Sequence, residues 1–156
     1  MPEQIDRLDR RLIEELSADG RATNAALAES LGVAPSTTHA RLRGLVDDGV
    51  ITGFHAAVDQ ARLGRGLQAI IGVTLRGGQR EGSIREFARE IGNHPDVIQI
   101  FFVGGTDDFL VHLAVSGSSA VRAFVLDQLS TRQSVASTRT SIIFEYHRNA
   151  VAAEFD

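Results

Sequence analysis

The 156-residue chain contains no cysteine, which excludes a disulfide framework and any thiolate metal site and agrees with a reducing compartment. It has no lysine either: all 16 of its basic side chains are arginine, a residue suited to two-pronged contact with planar anions. No apolar run approaches the roughly 18–20 residues a membrane span requires. Near the start, Arg7 and Leu8 sit among charges where a secretory signal would place an apolar core. The expectation is a cytoplasmic protein with no membrane contact. A positive surplus is also lacking: the net charge is -4, and the first 60 residues hold six arginines against ten acids. Nucleic-acid binding usually shows as a basic domain, so any positive surface here must be local. One stretch qualifies. Ala34 to Val46 contains no acid and carries His39, Arg41 and Arg43.

An apolar share of 43% with 23% charge is that of an ordinary globular chain, long enough for one domain or two small ones. Leu8, Leu12 and Leu16 recur every four residues, with Ile5 and Ile13 widening the stripe, so a helix is predicted from about Asp6 to Ala18. Thr23 is placed to cap a second helix bearing Leu27, Ala28 and Leu31 and ending at Gly32. Pro35 then suits the first position of a third helix. That helix should turn Thr38, Leu42, Leu45 and Val46 inward and stop at Asp48-Gly49. Two helices joined by a three-residue turn containing Gly have the spacing of a DNA-binding helix-turn-helix.

Val50–Val58 reads as a wing strand or hairpin, and Asp59–Gly66, with two glycines, as a hinge. The expected domains are therefore 1–58, a hinge at 59–66, and 67–156. The second half alternates strand and helix. Leu67–Leu75 is a strand; Ser83 and Glu86 form a capping box for a helix closed by Asn93-His94-Pro95. Val97–Val103 and Phe109–Val115 are strands around a Gly-Asp turn. Ser118 or Ser119 caps a helix bearing Val121, Phe124, Val125 and Leu129, and a last strand covers about Val135–Tyr146. The order βαββαβ is ferredoxin-like. The fold class is α+β, a winged helix-turn-helix followed by a ferredoxin-like domain.

Several stretches, in this order and spacing, carry a family resemblance: Ile5-Asp6-Arg7-Leu8-Asp9 with Leu16, Asp19-Gly20-Arg21, Leu27-Ala28, and Ser36-Thr37-Thr38-His39-Ala40-Arg41-Leu42. Leu45 with Asp48-Gly49-Val50-Ile51, and later Gly105 with Asp108, complete it. The chain resembles the leucine-responsive regulator/AsnC family of bacterial and archaeal transcription factors over nearly its whole length. The resemblance implies that Pro35–Asp48 enters the DNA major groove. Residue chemistry points the same way. With Thr38, Leu42 and Leu45 inward, Ser36, Thr37, His39, Ala40 and Arg43 face out. Short hydroxyls at a helix start can bond phosphate, and an arginine can read guanine with two hydrogen bonds, worth about 1–3 kcal/mol. The expected DNA-binding set is Pro35, Ser36, Thr37, His39, Ala40, Arg41 and Arg43, with Arg41 either touching phosphate or bracing the helix. Ala34 stands where the family has a capping Ser, Thr38 where it has Val, and Gly44 where a charge is common.

The turn Gly104-Gly105-Thr106-Asp107-Asp108 is a strand connection with a second possible use. Its backbone N–H groups can hold a carboxylate and its acids an ammonium, which suits a free amino acid. The resemblance implies an effector pocket of Gly105, Thr106, Asp107 and Asp108, with Thr138 and Thr140 opposite; Gly104 replaces the usual Thr or Ser. His39, His55, His94, His112 and His147 have no metal-ligand spacing, although His112 and His147 could face each other across the sheet. No cofactor is expected and no nucleophile elbow or phosphate loop is present.

One helix-turn-helix reads only a few base pairs, so operator binding needs a symmetric dimer. The resemblance implies a dimer or a multiple of dimers, commonly an octamer in the family, and Leu67–Leu75 is a candidate interface. Two alternatives stay open: an enzyme like the sirohaem decarboxylases of haem synthesis, which resemble this architecture, and a ligand-sensing assembly module that does not bind DNA.

Overall fold

The computed structural model describes residues 5–77 and 80–145. The chain forms two compact units that part between Ala57 and Val58. No helix among the described residues is long and apolar enough to cross a membrane.

The first unit is three helices: α1 (Arg7–Ala18), α2 (Asn24–Leu31) and α3 (Pro35–Asp47). Each begins where its local chemistry provides for the first backbone N–H groups. Asp6 caps α1 by accepting from Leu8 N at 2.8 Å and Asp9 N at 2.9 Å, and Asp9 reaches back to Asp6 N at 3.1 Å. This reciprocal pair satisfies three donors at once. Thr23 caps α2, and Gly32 ends it with φ 69°, a left-handed conformation that costs glycine little. Pro35 opens α3, but Ala34 gives no side-chain cap. The core is Leu12, Leu16, Leu27, Leu31 and Leu45, with Leu42 and Ile51 packed at its rim.

Two expectations for this unit need correction. Val46 is 43% exposed; at 3.6 residues per turn it lies roughly 80° round α3 from Thr38, beyond the stripe that packs. Residues 50–58 form no strand. Their β-branched and aromatic side chains suit a strand, but among the described residues none is paired with them, and Phe54 and Val58 stay about half exposed.

The second unit runs β1 (Leu67–Leu75), α4 (Arg80–Gly92), β2 (Val97–Phe102), β3 (Phe109–Val115), α5 (Ser118–Phe124), a π-helical segment (Val125–Ser130) and β4 (Val135–Ile143). The antiparallel sheet has the order β2-β3-β1-β4. This is the ferredoxin-like arrangement, with β1 hydrogen-bonded on both sides. Odd residues of β1 (Ile71, Val73) join Phe87, Phe109, Val111 and Leu113 in the core beneath the helices. Even residues (Gln68, Ile70, Gly72, Thr74) point to the opposite, uncovered face.

Here too the ends differ from expectation. α4 starts three residues before Ser83, whose side chain lies outside the described residues; Arg80, Glu81 and Gly82 include nothing that stops a helix. α5 begins at Ser118 behind Gly117, without a side-chain cap. β2 ends at Phe102 and β4 at Ile143, while Tyr146 and His147 lie outside the described residues. His112 pairs with Gln68, Nε2 to Oε1 at 2.8 Å, and burial depresses its pKa.

Candidate functional site

The outward face of α3 is the first candidate. Ser36, Thr37, His39, Ala40 and Arg43 are exposed, as is Pro35 at the helix start. Thr38 is buried on the inner side, and its hydroxyl has no hydrogen-bond partner among the described residues. Asn24 holds the turn between α2 and α3 by donating from Nδ2 to the Pro35 carbonyl at 2.8 Å. Among the described residues Arg43 meets only Asp47, one turn on, at 3.6 Å, and both are mostly exposed. Such a pair contributes about 0.3–0.5 kcal/mol and would yield readily to a phosphate or a base edge.

Arg41 behaves differently. Its Nη1 lies 2.9 Å from Asp6 and 3.3 Å from Asp9, so it ties α3 to the capping pair at the start of α1. Within the chain this side chain braces the helix. Asp9 is buried, and the arginine offsets the cost of holding a carboxylate there. The Asp9 backbone N–H, with help from Arg41, holds the Asp6 carboxyl below its usual range. A lowered carboxyl pKa stabilises the fold above the unfolded value, and that contribution disappears as pH falls through the lowered one. The Asp6-x-x-Asp9 spacing is itself a capping-box signal that the sequence reading passed over.

The β2–β3 turn is the second candidate. Its acids are already engaged. Asp108 is buried; its backbone N–H donates to Val73 O at 2.8 Å, and its Oδ2 accepts from Leu75 N at 2.7 Å. That contact supplies an acceptor where the β1–β4 register shifts between Thr74 and Leu75. Asp107 pairs with Arg139 across 2.6 Å. The two meet above Gly72, where a Cβ would stand 2.6 Å from Asp107 Oδ2. A mid-strand glycine that admits a neighbour's carboxylate is the signal that could have revealed this pair. Gly105 has φ 141° and Thr106 O accepts from Thr74 Oγ1 at 3.3 Å.

The expected effector residues do not converge within one chain. Gly72 is in register with Arg139, whereas Ile71 pairs with Thr140 and Val73 with Thr138. Thr138 and Thr140 therefore lie on the helix-covered side of the sheet, opposite to Asp107 and Arg139. Among the described residues no three His, Asp or Glu side chains cluster as a metal site would require.

Comparison with known proteins fits this geometry. The Lrp/AsnC ligand binding domain family matches residues 68–150, and the winged helix-turn-helix DNA-binding family matches residues 5–52. The chain belongs to the Lrp/AsnC family of DNA-binding transcriptional regulators. It is 44% identical over 146 residues to the HTH-type transcriptional regulator AldR of Mycolicibacterium smegmatis, covering 94% of this chain and 85% of that one. It is 30% identical over 151 residues to the leucine-responsive regulatory protein of Rhizobium meliloti, covering 97% and 96%. Among solved structures, the L-Met complex of a Neisseria meningitidis transcriptional regulator superposes with a TM-score of 0.85, at 28% identity and 94% coverage of both chains.

Proposed function

We propose that this Lrp/AsnC regulator binds operator DNA through the outward face of α3 and responds to an amino-acid-type effector held at the β2–β3 turn. The observation that carries the first half is the sorting of α3: its inner side is packed, while Ser36, Thr37, His39, Ala40 and Arg43 remain exposed. Pro35 and these residues form the proposed contact set, with Arg41 acting one step back as the brace that sets the angle of the helix. Residues 1–58 serve binding, 59–66 join the two parts, and 67–156 serve sensing and assembly. Dimers or multiples of dimers supply two copies of α3, one per half-site. β1 has both edges occupied, so assembly through it would use the uncovered sheet face rather than edge pairing. The site of action is the cytoplasm.

For the effector, the L-Met complex of the Neisseria relative supports an amino acid. Gly105 and Thr106 are the exposed turn residues best placed to contact it, and Asp107 would join them only by parting from Arg139. Asp108 shapes the turn from beneath, and Thr138 and Thr140 could contribute only from another chain. That the relatives compared above are regulators favours this reading over a haem-synthesis enzyme. Fluorescence anisotropy on the protein's own upstream region tests it. Binding should weaken steeply as salt rises, because phosphate contacts release counterions. Absence of binding at every protein concentration would refute the operator reading. Loss of any thermal shift with a panel of free amino acids would refute the effector reading.

A further inference from the structure

A groove of about 360 Å³ runs between β4, an outer strand of the sheet, and the helix formed by α5 and its π-helical extension. The volume falls within the roughly 300–1,000 Å³ typical of small-molecule sites. Its walls are Val121, Val125, Leu126 and Ile142. Leu126 is 47% exposed and Ile142 41%, so two large apolar side chains face water across the same opening. The helix widens from α to π geometry at Val125; single π turns in helices recur at functional sites. This groove is on the helix-covered side of the sheet, whereas Asp107 and Arg139 stand on the other.

The polar lining is selective. It consists of Arg122, Ser118 and Thr140, with no acid. Among the described residues Arg122 has no ion-pair or hydrogen-bond partner. A guanidinium beside an apolar trough favours a carboxylate, which it can hold with two parallel hydrogen bonds. The two hydroxyls can each donate to a further oxygen. The lining offers no carboxylate to pair with an ammonium. We infer that the groove binds a small carboxylic acid with an apolar tail, of the 2-oxo acid or branched-chain acid kind, at a site separate from the β2–β3 turn.

Calorimetry on the full chain tests this with three probes of similar shape: 4-methyl-2-oxopentanoate, L-leucine and the neutral 4-methylpentanamide. At the groove, read by protection of residues 118–130, the oxo acid should bind at least as tightly as L-leucine, and the amide at least tenfold more weakly. Arg122→Gln should weaken the oxo acid at least tenfold while leaving the melting temperature unchanged, since the side chain is exposed and unpaired; Arg122→Lys should restore part of the loss. Hydrogen exchange should slow in residues 118–130 and 138–143 when the oxo acid is present. Equal oxo-acid binding by the Gln variant, a tenfold preference for L-leucine at the groove as read by protection of residues 118–130, or oxo-acid protection confined to 104–108 would each overturn the inference, as would no binding by any probe. If Leu126→Glu instead lowers the particle mass and the probes do not bind, a second copy occupies the groove and the inference fails. Operator binding without any probe is measured alongside and decides the gene-control reading independently.

Discussion

The outward face of α3 and the β2–β3 turn both present polar side chains of the kind that recognise ligands, and they use them in opposite ways. On α3 the exposed set has little to do within the chain: Arg43 makes one solvent-exposed pair with Asp47. At the turn both acids are committed, Asp108 to a buried backbone N–H and Asp107 to Arg139. The same contrast holds within α3, where Arg41 and Arg43 are two residues apart and only Arg41 is bound to acids of another helix. Residue type alone suggests recognition at all of these positions. Partnership and burial separate the residues left for a ligand from those that hold the fold.

The largest test of that contrast is Asp108→Ala. It strips the acceptor from a buried N–H and should cost about 2–3 kcal/mol, read as a lower urea midpoint, with Asp108→Asn, whose amide oxygen can still accept, recovering much of the loss. A midpoint equal to wild type would return Asp108 to the ligand-contacting set. Gly72→Ala should follow at about 1–3 kcal/mol, because its Cβ would collide with the Asp107 carboxylate and part it from Arg139. Thr38→Val should raise stability by about 1 kcal/mol by replacing a buried hydroxyl that lacks a partner. Gly44→Ala should raise it by roughly 0.5–1 kcal/mol, since nothing lies within 4 Å of the added methyl in a helix interior. Two glycine substitutions of opposite sign would show that the close approach at Gly72, and not glycine loss itself, matters.

Much of the architecture was legible in the residue pattern because it rests on short-range signals. Asp6, Thr23, Gly32 and Pro35 mark helix ends through chemistry that acts within a turn. Leu67–Leu75 and Phe109–Val115 match their strands residue for residue, since buried strands read as continuous apolar runs. What was not legible depends on distant partners. Residues 50–58 have strand-like composition and no strand beside them. The α-to-π change at Val125 is hidden because Val121, Phe124, Val125 and Leu129 suit an unbroken α-helix equally well. The ion pairs Arg41–Asp9 and Asp107–Arg139 each join residues 32 apart, and only the packing of α1 on α3 and the register of β1 against β4 bring them together. The exposed set on α3 was readable from periodicity; the division of the turn's acids was not.

The salt dependence of operator binding in the Arg43→Ala and Arg41→Ala variants tests the central division most directly, measured at a temperature where both are folded. A phosphate contact removed should lower the slope of log affinity against log salt by about one. The expected result is a reduced slope and weaker binding for Arg43→Ala, with a lower melting temperature but a wild-type slope for Arg41→Ala. A wild-type slope and affinity in Arg43→Ala, together with a reduced slope in Arg41→Ala, would contradict the account.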